Sequence, residues 1–205
     1  MAHATGRLRR QRRLRQSDTP GVPGVERVSR NVEIKARITS VEALLPRVKT
    51  VADQGPFDIR QDDTYFACNT GRLKLRMFGG ASASKGEGEL IYYRRADQQG
   101  PKESFFLRSP TTAPEVLRES LTLAYGRTGH VEKHRTLFLA GRTRIHLDRV
   151  SGLGHFLELE VVLEENEPIE AGVREANQLL VSLGVERSQL IEGGYVDLLG
   201  DRRGA

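Results

Sequence analysis

Charged side chains recur at every second position in several segments of this chain, and they form two groups of opposite sign. The acids are Glu33, Asp148, Glu158 and Glu160, and the bases are Lys35, Lys74, Arg76, Arg94, Lys133 and Arg135. A spacing of two is the side-chain period of a β-strand, so the charged residues of one segment share a face. Carboxylate oxygens suit Mg²⁺ or Mn²⁺, whereas clustered bases suit an anion of high charge density. The two groups together indicate a site for a cation and a polyanion.

The segments that carry these residues are predicted to be β-strands. They are NVEIKARI (31–38), RLKLRM (72–77), VEKHR (131–135), RIHLD (144–148) and FLELEVVL (156–163). Further strands are predicted at 63–68, 89–95 and 103–108, where Gly, Pro, Asp or Asn mark the turns. Because most connections are short, neighbouring strands are expected to pair antiparallel.

The repetition of one charged face bears on how the sheet is arranged. An open antiparallel sheet commonly shows a charged face to water, and this explains any single strand. In this chain, however, the acids and the bases lie on different strands or positions, and the pattern recurs on about as many strands as a small closed barrel needs. Both observations favour a barrel whose charged faces turn inward. Acids on one wall would repel one another without a cation, and bases on the other walls would need an anion. A triphosphate with bound metal satisfies both requirements.

Two helices are predicted beside the strands. Thr39, with Glu42 three residues later, matches a capping box, so a helix is expected to begin there. The second helix is expected from about Ile169 to Leu183, where apolar residues fall at helical spacing, with Gly184 as its stop. The predicted fold is therefore α+β and dominated by strands.

The run NVEIK (31–35) resembles the E-x-E-x-K opening strand of the CYTH superfamily, the triphosphate tunnel metalloenzymes, which include class IV adenylyl cyclases and thiamine triphosphatases. Later segments resemble that family's blocks in the family's order. They are QDDTYF (61–66), GRLKLR (71–76), LIYYRRAD (90–97), GPKESFF (100–106), VEKHR (131–135), RIHLDRVSGLGHFLELEV (144–161) and GGYVDLL (193–199). The resemblance implies a closed, eight-stranded antiparallel barrel, the triphosphate tunnel, with flanking helices. It also implies that the four acids are metal-binding and catalytic and that the six bases bind substrate.

Three functions are compatible with such a tunnel. The sequences of several blocks most resemble those of the class IV adenylyl cyclases. This resemblance implies conversion of ATP to cyclic AMP and pyrophosphate with Mg²⁺ or Mn²⁺. The alternative is a triphosphatase acting on thiamine triphosphate, inorganic triphosphate or a nucleoside triphosphate. The third is a non-catalytic module that binds polyphosphate or nucleotide. Asn31 replaces the first acid of E-x-E-x-K, and an amide offers oxygen without charge, so the number of metal ions stays open.

Several other polar and aromatic residues are given structural interpretations. Asp63, at the start of a predicted strand, is expected to cap a turn, and Tyr65 to close that strand. His146 could contact ligand or bond to a neighbouring carboxylate. Lys102, in a loop, is expected to be solvated, and Tyr195 to pack the last segment across the barrel mouth.

The net charge of +5 is concentrated at one end of the chain. Residues 1–30 contain eight arginines against two acids, and their mixture with Pro, Gly and Ser predicts a disordered basic tail. The tunnel domain is expected at 31–199 and a short C-terminal tail at 200–205. Since the rest of the chain is nearly neutral, nucleic acid is not an expected partner. A single cysteine and no apolar run of membrane-spanning length favour a cytoplasmic protein that does not bind membranes.

Overall fold

Eight antiparallel strands close into a ring in the computed structural model, which describes residues 29–79 and 86–201. The strands are β1 (Ser29–Ile38), β2 (Gln54–Phe66), β3 (Arg72–Gly79), β4 (Gly88–Arg95), β5 (Lys102–Thr111), β6 (Arg127–Ala140), β7 (Thr143–Val150) and β8 (Gly154–Val162). The helices are α1 (Val41–Val51), α2 (Pro114–Tyr125), α3 (Ile169–Leu183) and α4 (Tyr195–Asp201), with a 3₁₀ helix at Arg187–Gln189. The predicted basic tail lies almost wholly outside the described residues.

The strands follow one another around the ring in the order β1, β5, β4, β3, β2, β6, β7, β8, and β8 pairs back with β1. Directly opposite residues of an antiparallel pair point to the same face. The register places Glu33 opposite Glu160 and Lys35 opposite Glu158. The alternating charges of neighbouring strands therefore meet on one surface, which is the inside of the ring. The prediction of a closed, eight-stranded antiparallel barrel is confirmed.

The main hydrophobic core lies outside the ring, between the strands and two helices. The outward residues of β1 and β8, such as Ile34 and Leu159, are fully buried against α1 and α3. Val48 of α1 and Leu180 of α3 belong to the same cluster. In β1 and β8, period-2 alternation thus gives an apolar outer face, covered by helices, and a largely polar inner face.

A second hydrophobic cluster closes one end of the ring. It contains Tyr65, Val131, Val150, Leu153, Phe156 and Tyr195, with partly buried residues of α4 packed against it. The rings of Phe156 and Tyr195 lie 4.9 Å apart at an interplanar angle of 53°. The chain segment that ends in α4 is therefore fixed at the mouth of the barrel, as the sequence predicted for Tyr195.

The helix boundaries agree with the sequence in one case and differ in the others. The predicted helix at Ile169–Leu183 is present, and Gly184 ends it with a φ of 67°, a left-handed conformation that glycine adopts without strain. α1 begins one residue later than expected, because the side chain of Ser40 rather than Thr39 accepts the hydrogen bond from the Ala43 amide, at 3.1 Å. α2 and α4 were not predicted. No helix among the described residues is long and apolar enough to cross a membrane.

Candidate active site

The inner faces of the strands enclose a cavity that opens to solvent. Its charged lining comes from seven of the eight strands, in accordance with their alternation. The charged and imidazole groups are Glu33, Lys35, Lys74, Arg76, Arg95, Arg108, Lys133, Arg135, Arg144, His146, Glu158 and Glu160. Eight of the ten residues that the sequence predicted as site residues line this cavity. The exceptions are Arg94 and Asp148.

A buried carboxylate organises the basic side of the cavity. Asp63, with no exposed surface, accepts hydrogen bonds from Lys74 at 2.9 Å and Lys133 at 3.2 Å. Arg76 donates to both of its oxygens, from Nε at 2.7 Å and from Nη2 at 2.8 Å. Burial opposes ionisation of Asp63, but the charges of Arg76, Lys133 and Lys74 outweigh it and hold the pKa of this carboxyl well below its usual value. Asp63 therefore fixes three bases, which we call the base wall: Lys74, Arg76 and Lys133.

The lysines of the base wall lie in an environment that disfavours their charge. Burial, reinforced by the charge of Arg76, lowers the pKa of Lys74 to about 8. Burial also lowers the pKa of Lys133 to about 7, since Asp63 offsets only part of the effect and Arg76 adds to it. The single carboxylate of Asp63 therefore does not balance the three bases, and a bound anion would add the negative charge that favours their protonated forms.

Arg135 is held by two acids on the strands that follow. It donates to both oxygens of Asp148, from Nε at 2.7 Å and from Nη2 at 2.6 Å, and to Glu158 at 2.7 Å. The Tyr195 hydroxyl donates at 2.9 Å to Oδ2 of Asp148, the oxygen that also accepts from Arg135 Nη2. Asp148 was predicted to be a metal ligand, but it is fully buried beneath the cavity lining and its oxygens are engaged by Arg135 and Tyr195. We therefore correct its role to that of an anchor for Arg135.

A group of potential metal ligands lies on β7 and β8. One ligand atom from each of His146, Glu158 and Glu160 can be chosen so that all three lie within 4.8 Å of one another. Burial and the charge of Arg135 lower the pKa of His146 to about 4, so its imidazole is neutral near pH 7 and has a free lone pair. Two buried atoms here, Nδ1 of His146 and Oδ1 of Asn31, have no hydrogen-bond partner among the residues described. These ligand types and unpartnered atoms fit a divalent cation.

Glu33 and Lys35 lie on β1, directly opposite Glu160 and Glu158 of β8. Lys35 donates to Glu33 at 2.9 Å and lies 3.1 Å from Glu158, and Arg95 donates to the same Glu33 oxygen. The ammonium group of Lys35 also lies 4.7 Å from the centre of the Tyr195 ring. Glu33 therefore lines the cavity, as predicted, but its contacts are with bases and it lies outside the group of His146, Glu158 and Glu160.

The prediction for β4 named the wrong arginine. Arg94 points away from the cavity, and its guanidinium lies 5.3 Å from the centre of the Phe105 ring. Arg95 lines the cavity, with a side chain only 2% exposed. The run Tyr92-Tyr93-Arg94-Arg95 has two aromatic and two basic residues in succession, so alternation gives no means of choosing the inner face. The pairing of Ile91 with Lys74 decides it.

Sequence reasoning also missed the roles of Asp63 and Lys102. Asp63 lies in the middle of a strand that begins nine residues before it, at Gln54, and caps no turn. Lys102 is 2% exposed rather than solvated, and its ammonium group donates to the Gln98 carbonyl at 2.9 Å. The available signal for Asp63 was its period-2 spacing with Gln61 and Tyr65, both of which line the cavity.

Comparisons with known proteins agree with this architecture. A protein-family model described as the CYTH domain matches residues 29–195. The fold is similar to that of a protein from Pyrococcus horikoshii OT3, with a TM-score of 0.71 and 22% identity over 82% of this chain and 98% of that chain. It is similar to a candidate adenylate cyclase from Vibrio parahaemolyticus, with a TM-score of 0.61 and 19% identity over 83% of this chain and 97% of that chain.

A candidate adenylyl cyclase from Hippeastrum, described as having a dominant triphosphatase activity, also shares the fold. Its TM-score is 0.57, with 16% identity over 85% of this chain and 96% of that chain. A search of curated proteins found no match. At these identities the solved structures establish a common fold and leave the reaction open.

Proposed function

The chain belongs to the CYTH family, and from this premise we propose that it is a metal-dependent enzyme whose substrate is a triphosphate, with conversion of ATP to cyclic AMP and pyrophosphate as its reaction. The observation that carries the proposal is the two-sided cavity. The base wall lies on β3 and β6, and the ligand group His146, Glu158 and Glu160 lies on β7 and β8. A triphosphate with a bound divalent cation matches both sides at once.

The bases would hold the phosphate chain in a fixed path. Asp63 and Asp148 keep Arg76 and Arg135 in defined positions before substrate arrives, so little side-chain entropy is lost on binding. Planar guanidinium groups suit phosphate oxygens because they can donate two parallel hydrogen bonds. A divalent ion held by the carboxylates and imidazole would neutralise phosphate charge and polarise the reacting oxygen.

Apolar side chains in the same cavity favour an organic triphosphate over an inorganic one. Ile59 and Leu137 lie on the neighbouring strands β2 and β6, and Ile91 and Phe106 on the neighbouring strands β4 and β5. Apolar surface of this kind supports the flat face of a nucleobase, whereas inorganic triphosphate has nothing to place there. This supports an organic substrate such as ATP. The preference for cyclisation, in which the ribose hydroxyl attacks the α-phosphate, rests on the resemblance of segments such as LIYYRRAD (90–97) to the class IV adenylyl cyclases.

Hydrolysis is the second candidate, favoured by the triphosphatase activity described for the Hippeastrum protein of the same fold. The two reactions differ in their products. Purified protein would be incubated with ATP or inorganic triphosphate and either Mn²⁺ or Mg²⁺. Cyclic AMP with pyrophosphate supports the cyclase, and orthophosphate supports the triphosphatase. Neither product across a panel of triphosphates would contradict both.

Substitution of the metal-side acids tests the site itself. Glu158→Gln or Glu160→Gln should reduce kcat by a factor on the order of 10²–10³, since each removes a charge without changing shape. Glu132→Gln, an exposed carboxylate on the outer face of β6, is the matched control and should leave kcat unchanged. Circular dichroism checks that each variant is folded. Full activity in both cavity variants would contradict the metal assignment.

A further inference from the structure

His146 has a buried nitrogen atom that no protein group satisfies. Its side chain is 4% exposed and lines the cavity from β7. Nδ1 has no hydrogen-bond partner within the described part of the chain. A buried polar atom without a partner costs free energy, so such atoms are rare unless an ion, water or ligand completes them. Because Nδ1 lies at the cavity wall, a partner that enters the cavity can satisfy it.

The distances from this nitrogen identify the kind of partner. Nδ1 lies 3.8 Å from Glu160 Oε1 and 4.0 Å from Glu158 Oε2. Both separations are too long for a hydrogen bond. Metal bonds of 2.0–2.2 Å allow two ligands of one ion to lie up to about 4.4 Å apart. Both pairs fall within this limit, so the geometry allows one cation to bind His146 together with Glu160 and with Glu158, whose Oε2 also accepts a hydrogen bond from Arg135 at 2.7 Å.

Asn31 supplies a second and independent indication. Its side chain is 3% exposed and lines the cavity, and its Oδ1 has no hydrogen-bond partner among the described residues. It lies on β1 two positions before Glu33, which pairs with Glu160. Asn31 therefore adds an unpartnered amide oxygen to the same cavity, on the strand next to the one that carries Glu158 and Glu160.

We infer that His146 is a direct metal ligand through Nδ1 and that it makes this tunnel select Mn²⁺ over Mg²⁺. Mg²⁺ is a hard cation that takes oxygen ligands and dehydrates reluctantly, whereas imidazole suits transition metals. The inference rests on the proposed function, because it concerns the ion of the same site. It goes further by naming a nitrogen ligand and the class of metal that this ligand favours.

Pulsed electron paramagnetic resonance of bound Mn²⁺ tests the ligand directly, without substrate or turnover. Electron spin echo modulation detects the nuclear spin of a directly coordinated nitrogen. Wild-type protein should show ¹⁴N modulation that changes to the ¹⁵N pattern when histidine alone is ¹⁵N-labelled. This measurement needs no variant and so does not depend on the folding of one.

Two histidine variants then assign the signal. His130 forms a second potential metal group with Asp62 and Glu132 in the part of the chain that the structure describes, so His130→Gln removes that candidate source and should keep the modulation. His146→Gln should abolish it and weaken Mn²⁺ affinity by about tenfold or more, since loss of even an outer-shell partner costs 10–100-fold. Mg²⁺ affinity, measured by competition, should change less than Mn²⁺ affinity.

The outcomes separate this inference from the proposed function. Mn²⁺ bound without histidine modulation, or modulation that persists in His146→Gln, would show that His146 is not a ligand. Equal wild-type affinities for Mg²⁺ and Mn²⁺ would overturn the selectivity. Triphosphate turnover that continues in either case would leave the proposed function standing. Turnover that needs no divalent ion would overturn both.

Discussion

Triphosphate binding should draw protons from solution, because two lysines of the base wall are partly neutral before it binds. The pKa is about 7 for Lys133 and about 8 for Lys74. Phosphate oxygens placed against them would raise both values, since an adjacent anion favours the charged form. At pH 8 about nine-tenths of Lys133 and about half of Lys74 are neutral. Full protonation in the complex would therefore take up about 1.4 protons.

The direction in which triphosphate affinity changes with pH follows from the lowered pKa values of Lys74 and Lys133. Well below pH 7 both lysines are already charged, so they take up few protons on binding and contribute little to the pH dependence of the affinity. Above pH 8 each must be protonated on binding, so affinity falls as pH rises. Between pH 7 and pH 9 the dissociation constant should increase on the order of several hundredfold if both lysines are fully charged in the complex.

Calorimetry of metal-free ATP binding at pH 8, with a chelator present, measures this uptake. The apparent enthalpy is compared in two buffers of different ionisation enthalpy, and the slope gives the number of protons. ATP itself contributes little, since the second pKa of a phosphate monoester is about 6. Lys133→Arg keeps its charge at any working pH, so the slope should fall to about 0.5 protons. The exposed Lys49→Arg on α1 is the matched control. Enthalpies independent of buffer, or a slope unchanged by Lys133→Arg, would refute the reasoning.

Three further predictions test the contacts around the cavity. Asp63→Asn leaves three bases without their anion, so urea denaturation should give an unfolding free energy lower by about 3–5 kcal/mol, and saturating inorganic triphosphate should recover part of it; an unchanged midpoint would exclude Asp63 as the anchor. Arg95→Ala should weaken triphosphate binding in a competition assay whereas Arg94→Ala should not, and equal effects would contradict the assigned faces. Tyr195→Phe removes a donor from buried Asp148 and should lower the unfolding free energy by about 1–3 kcal/mol; no loss would mean that this hydrogen bond contributes nothing measurable.

The sequence predicted the fold because five strands alternate clearly between apolar and charged residues. In β1, for example, Ile34 faces the outer core and Lys35 the cavity, as the period of two requires. Alternation fails in β4, where Arg94 and Arg95 follow two tyrosines. There the inner face is set by pairing with β3 and β5, which is information that a local pattern does not contain.

The unpredicted helix α2 shows a second limit of local patterns. Val116 and Leu123 remain 66% and 83% exposed, and Pro114 is the only residue of this helix that is buried. A helix that buries so little surface has no need of a wide apolar stripe, so the periodic signal is weak. Its Pro at the first position and Gly126 after its end were the remaining signals.

The acids of the tunnel have two different roles, and the residue type alone does not show which acid has which role. Asp63 and Asp148 have no exposed surface, and their oxygens are occupied by bases. Glu160 is 19% exposed at its side chain, and its contact with Arg144 is long, at 3.4 Å. An acid whose lone pairs are already engaged cannot also bind a metal without releasing a buried base, which is costly. Asp63 and Asp148 therefore position the bases, and Glu160 remains available to the cation. Glu158, whose oxygens contact Lys35 and Arg135, would share its lone pairs between these bases and the cation.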